Sequence, residues 1–140
     1  MTLTHMLLVL AGGFVGGLGR HLVGGAVGRR VGEHLPWGTL AVNLSGALAI
    51  GLVVGLARLP GSVVGTELVR DFLIFGLLGG YTTVSAFSLQ TVHLLLEGRT
   101  LAAAGYVAMS VVGCLLATLI GLAAVTLVAG GWTMALETRP

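Results

Sequence analysis

Three long stretches of this chain carry no formal charge: residues 34–57, 72–96 and 100–136. At about 1.5 Å of rise per residue, a helix of roughly 20 residues covers the ~30 Å hydrocarbon thickness of a bilayer, so each stretch can cross once. The segment from Leu3 to about Gly28 supplies a fourth span, although Arg20 and His21 lie inside it. The sequence therefore predicts an all-α membrane protein, a single transmembrane domain over residues 1–140, with helices at about 3–28, 37–58, 71–97 and 100–129. Only 9% of the residues are charged, against about 25% in a typical soluble domain. Four spans leave no length for a separate soluble catalytic domain. No Lys or Arg precedes Met6 and no small-residue cleavage pattern follows Leu10, so residue 1 is expected to stay in the mature chain.

The few charges say where the loops are. Arg29, Arg30, Arg58, Arg70, Arg99 and Arg139 fall in or beside the expected connections, and Lys is absent. This scatter contains no basic patch dense enough for nucleic acid. With four spans, Arg58, Arg70 and Arg139 lie on one side of the membrane, and Arg29, Arg30 and Arg99 on the other. The positive-inside rule has almost no excess to act on. Either both orientations are made and pair antiparallel, or a small bias fixes one. Trp37 and Trp132 stand at helix ends, where amphipathic rings favour the headgroup zone. The single cysteine, Cys114, lies in an apolar run and cannot form an intrachain disulfide. Nucleotide motifs, paired carboxylates and side-chain metal clusters are all missing from the sequence, so an enzyme is not expected.

Polar residues within the spans carry the functional signal, because polar atoms facing lipid cost free energy and must find a neighbour, a cavity or an ion. On helix 2, Thr39 and Asn43 are four apart and share a face. On helix 4, Tyr106, Ser110, Cys114 and Thr118 repeat at four-residue intervals. Both stripes offer hydroxyl or amide hydrogens and no carboxylate, a lining suited to an anion whose hydration shell must be replaced without tight capture. The alternative is interhelical glue, with each bond contributing about 0.6 kcal/mol on average. Glycine pairs four apart (Gly12 with Gly16, Gly13 with Gly17, Gly24 with Gly28, Gly51 with Gly55) predict close backbone approach, as in a compact oligomer. His93 and Glu97, also four apart, are expected to pair near the end of helix 3.

Helix 3 is the most specific region. Its centre, Gly76-Leu-Leu-Gly-Gly-Tyr-Thr-Thr-Val-Ser-Ala-Phe-Ser88, places two glycines before a dense run of hydroxyls. Glycines followed by β-branched threonines continue a helix poorly, which predicts a mid-membrane break near Gly79 to Thr83. Irregular backbone at that depth survives only inside protein or around an ion site, where freed carbonyl oxygens are hard ligands for a cation such as Na⁺.

The stretch from Gly79 to Ser88 resembles the Gly-Gly-x-Thr-Thr-Phe-Ser-Thr-Phe-Ser signature of the Fluc (CrcB) family of fluoride channels. Asn43 within Thr-Leu-Ala-Val-Asn-Leu-Ser-Gly, and the glycine-rich opening that ends at Arg20, are similar to the same family. The resemblance spans nearly the whole chain. It implies a dual-topology antiparallel dimer in the cell's inner (plasma) membrane, with two pores for fluoride and a structural Na⁺ at its centre, exporting cytoplasmic fluoride and conferring fluoride resistance. It implies backbone carbonyls of Gly79 and Thr82 as Na⁺ ligands and Asn43 as a fluoride donor with Thr39 one turn away. Phe87 matches a pore-facing phenylalanine and Ser85 the serine before it. Tyr106, Ser110 and Cys114 match a polar track, and Arg20 an arginine that draws anions toward a vestibule. The chain departs from the pattern at Val84 for a phenylalanine, Ala86 for a threonine and Cys114 for a serine. The resemblance therefore implies either a homodimer or pairing with a paralogous subunit. A small proton-coupled drug exporter is the rival from another class; it needs a membrane carboxylate, and helices 1 and 2 have none.

Overall fold

A computed structural model describes residues 2–32 and 34–137, with side chains up to Ala129. Helix α1 is Leu3–Val31 and α2 is Trp37–Ala57. A short 3₁₀ turn, Val63–Gly65, leads into α3, which covers residues 67–81 in three parts: an α-helical turn Glu67–Arg70, a π-helical stretch Asp71–Leu78 and a final turn Gly79–Tyr81. Two extended residues, Thr82 (φ −77°, ψ 162°) and Thr83 (φ −153°, ψ 119°), separate it from α4, Val84–Leu96. The last helix, α5, is Thr100–Glu137. Among the described residues, four helical stretches are long and apolar enough to cross a membrane: Leu3–Val31, Trp37–Ala57, Glu67–Leu96 and Thr100–Ala129.

The helix ends differ from expectation in three places, one of them the start of α3 at Glu67 rather than at about residue 71. Helix α1 runs to Val31, so Arg29 and Arg30 occupy its last turn, where cations oppose the negative end of the helix dipole. Helix α5 continues to Glu137, past the expected end at residue 129. The Trp132 side chain, expected in the headgroup zone, and Arg139 lie outside the described parts. Trp37 does stand at the start of α2, its indole N–H donating to His34 Nε2 at 3.2 Å.

The glycine pairs work inside the chain. A Cβ at Gly12 would lie 2.6 Å from the Phe72 carbonyl oxygen, and one at Gly16 would collide with the Leu77 carbonyl, so α1 and the π-helical stretch pack backbone to backbone. Gly51 of α2 meets the Thr118 backbone of α5 in the same way, and Gly55 makes room for the Val125 side chain. Gly17 and Gly28, by contrast, have open space beside them within this chain. Most large apolar side chains point outward, among them Leu3, Leu10, Phe14, Leu101, Leu115 and Leu127. Such a surface suits lipid or a partner helix. A small buried cluster has Leu40, Leu94, Ala103 and Tyr106 at its centre, and Val42 and Leu78 are buried apart from it.

Candidate functional site

The interruption between α3 and α4 organises the site, and its chemistry starts with Thr82 and Thr83. In an unbroken helix the Thr83 N–H would donate to the Gly79 carbonyl. Here it donates to Asn43 Oδ1 at 2.8 Å, while Asn43 Nδ2 donates to the Thr83 carbonyl at 3.0 Å. One side chain of α2 thus satisfies both backbone groups of one unwound residue. The next turn is closed by a cap: Thr83 Oγ1 accepts the Ala86 N–H at 3.1 Å, the role expected of threonine at a helix N-terminus. That N–H would otherwise bond the Thr82 carbonyl. The carbonyls of Gly79 and Thr82 have therefore both lost their helical donors, for two separate reasons. Arg20 Nη1 reaches the Thr82 carbonyl at 3.5 Å, a long contact that leaves much of that oxygen's acceptor capacity unused.

Two cavities meet at this point. The smaller, about 410 Å³, is lined by Asn43, Gly79, Thr82, Thr83, Phe87, Ser110 and Cys114, with Val84 and Thr118. The larger, about 810 Å³, is lined by Arg20, Thr39, Thr83 and Gln90 together with His21, Arg29, His93, Glu97 and Arg99. Thr83 faces both. In the smaller cavity Ser110 is only 6% exposed, and its hydroxyl makes no hydrogen bond among the described residues. Asn43 has a second amide hydrogen to offer beyond the one given to Thr83. The lining thus combines uncommitted neutral donors with apolar walls and has no carboxylate.

Most of the residues singled out in the sequence gather here, and two stand apart. Asn43, Phe87, Ser110, Cys114, Gly79 and Thr82 share the smaller cavity; Thr39 and Arg20 line the larger one. Tyr106 lines neither cavity. It is 1% exposed, its hydroxyl donates to Gln90 Oε1 at 3.1 Å, and its ring packs 5.4 Å from that of Phe87. Ser85 also lies off both walls, its hydroxyl 3.1 Å from Thr83 Oγ1. Thr118, last in the α5 stripe, reaches the cavity wall but commits its hydroxyl to the carbonyls of Ala47 and Cys114. The expected His93–Glu97 contact is present at 3.5 Å, and Arg99 joins it 3.2 Å from Glu97.

Sequence reasoning passed over two members of the site. Thr83 was read only as part of the interruption, although a threonine directly before a restarting helix is an N-cap signal. Gln90, one turn beyond Phe87, holds the Tyr106 hydroxyl and borders the larger cavity. Nothing in its local sequence marks it, because its partner is sixteen residues away on another helix.

Comparison with known proteins finds relatives along most of the chain. Residues 7–122 match the family described as CrcB-like protein, Camphor Resistance (CrcB). The chain is 46% identical over 121 residues to a protein of Brucella suis named fluoride-specific ion channel FluC 3, covering 86% of this chain and 91% of that one. It is 43% identical over 121 residues to fluoride-specific ion channel FluC 2 of Bradyrhizobium diazoefficiens, covering 86% and 88%. It is 45% identical over 124 residues to fluoride-specific ion channel FluC 2 of Rhodopseudomonas palustris, covering 89% and 95%. With a family match across residues 7–122 and relatives of this identity over nearly their whole lengths, the chain belongs to the CrcB family.

Proposed function

We propose that this chain forms a fluoride-selective passive channel that lets cytoplasmic fluoride leave the cell across the inner (plasma) membrane and so confers fluoride resistance. The observation that carries this reading is the Ser110 hydroxyl, buried and without a hydrogen-bond partner among the described residues, in a cavity that Asn43, with an amide hydrogen to spare, also lines. A buried hydroxyl left unbonded costs about 1–3 kcal/mol unless something in the cavity accepts from it. Fluoride is a compact acceptor, and the names of the relatives point to the same ion. Thr39 and Arg20 serve the wider approach, Arg20 by its charge. Thr83 joins approach and cavity. Ser110, Asn43 and, more weakly, the Cys114 thiol donate as water is shed, while the positive edge of the Phe87 ring faces the ion. Neutral donors replace hydration without the deep well that a fixed charge would create, so the ion can leave again.

The same reading includes an antiparallel, dual-topology homodimer with the α3–α4 interruption at mid-membrane and a sodium ion at its centre. Two carbonyls, Gly79 and Thr82, are freed of helical donors in each chain, which suits half of a hard oxygen shell. A second copy would supply the other half. When bound, the ion would supply a fixed positive charge and hold the freed carbonyls in place. The contact from Arg20 to the Thr82 carbonyl leaves one of its lone pairs for the metal. Val84, 77% exposed in the single chain, would face the partner across this region.

Purified protein in liposomes tests the function. Fluoride release that is selective over chloride and independent of a proton gradient is the expected result. Drug-driven proton flux would support an exporter, and silence in both assays would end the channel reading for the chain acting alone. Crosslinking of singly expressed protein tests the assembly: antiparallel pairs support the homodimer, and their absence points to a paralogous partner.

A further inference from the structure

Tyr81 is the last helical residue before the interruption, and its side chain is not free. Its hydroxyl lies 2.9 Å from Ser45 Oγ on α2. Serine has one hydroxyl proton, and Ser45 Oγ is 2.7 Å from the Ala41 carbonyl in its own helix, so that proton is already given. Ser45 therefore accepts from the Tyr81 O–H. Two residues earlier on α2, Asn43 holds both backbone groups of Thr83. One residue later, Gly46 has no Cβ where Thr82 Cγ2 docks; a Cβ there would collide with that methyl and lie 3.2 Å from Tyr81 Cδ1. Residues 81, 82 and 83 are thus seated on positions 43, 45 and 46 of one helix. On the other side, the Tyr81 ring lies over Gly19 of α1, where a Cβ would be 3.5 Å away.

We propose that Ser45 and Tyr81 are positioning residues for the interrupted segment: their hydroxyl bond is a second anchor that, with Asn43 and Thr83, fixes the direction of the Thr82 carbonyl. A segment held at one residue can still turn about that anchor, whereas holding the residues on both sides of Thr82 removes the rotation. The link to conduction rests on reading residues 79–83 as ion-handling backbone. The anchor itself does not, because its geometry stands without an ion.

The experiment compares wild type with Tyr81→Phe, Ser45→Ala, Ser45→Thr and the Ser45→Ala/Tyr81→Phe pair, all in lipid vesicles. Hydrogen–deuterium exchange of the amides at 81–84 and fluoride efflux are measured on the same preparations. Tyr81→Phe keeps the ring and removes only the hydroxyl. It and Ser45→Ala should each speed exchange of these amides roughly three- to tenfold, the size one interhelical bond supports, and slow efflux. Ser45→Thr should match wild type, and the double variant should be no worse than either single one. Unchanged exchange in Tyr81→Phe, additive effects in the double variant, or full efflux despite accelerated exchange would overturn the assignment. If wild type passes no fluoride the channel reading fails, and the exchange data still decide whether the anchor exists.

Discussion

Asn43 spends two of its hydrogen-bonding positions on one residue, its oxygen and one amide hydrogen holding Thr83, and it lines the cavity with a second amide hydrogen to spare. Asn43→Asp keeps the acceptor for the Thr83 N–H and loses the donor to the Thr83 carbonyl, while placing a negative charge in the cavity wall. Coulomb repulsion of a nearby anion is about 4 kcal/mol at 4 Å and intermediate dielectric, so efflux should fall by two orders of magnitude or more, as read by a fluoride electrode on vesicles. Ser110→Ala separates function from stability. Because its hydroxyl has no hydrogen-bond partner among the described residues, its removal should leave the melting temperature in detergent unchanged or slightly raised. Efflux should nonetheless drop roughly three- to tenfold through loss of one neutral donor. A clear fall in melting temperature would mean that Ser110 is interhelical glue. The sequence pointed to both residues through their polarity in apolar surroundings. Tyr106 shares the stripe by spacing, yet in the single chain its hydroxyl is held by Gln90 in the core, a contact with another helix that spacing alone does not show.

At the scale of elements, the interruption between α3 and α4 was readable because Gly79, Gly80, Thr82 and Thr83 are each poor at continuing a helix and stand together. The π-helical stretch Asp71–Leu78 was not. Its residues read as an ordinary apolar helix, and the wider turn is seen only beside α1, against which Gly76 packs at Gly12. Helix ends were blurred for a similar reason: Arg29 and Arg30 look like loop residues by charge, yet arginine is a good helix former and suits a C-terminal turn. The restart of α4 gives the test at this scale. Thr83→Val keeps the shape and removes the hydroxyl that accepts the Ala86 N–H. Loss of such a cap costs about 1 kcal/mol, so the melting temperature should fall by a few degrees and amide exchange at 86 and 87 should rise about fivefold. Exchange confined to wild-type rates would show that the cap contributes nothing to where α4 begins.

For the whole molecule, the distribution of arginines matters more than any one of them. The proposed dual-topology pair needs both orientations in comparable amounts, and the three-against-three balance of arginines across the two faces supports this, with Arg29 and Arg30 at the end of α1 and Arg99 before α5 on one side. Replacing Arg29 and Arg30 with Gln leaves one arginine on that face against three on the other, a bias that should drive nearly all chains into a single orientation. Such a variant expressed alone has no oppositely oriented partner and should lose most of its fluoride efflux, although each chain keeps the residues of the smaller cavity. Replacing Arg58 and Arg70 with Gln biases the chain the other way and should be equally silent by itself. Expressed together, the two variants supply one chain of each orientation, and efflux should return toward the wild-type level. Full activity of either variant alone, with orientation shown by protease accessibility to be uniform, would mean that a parallel assembly conducts and that the balance of charge has no part in assembly.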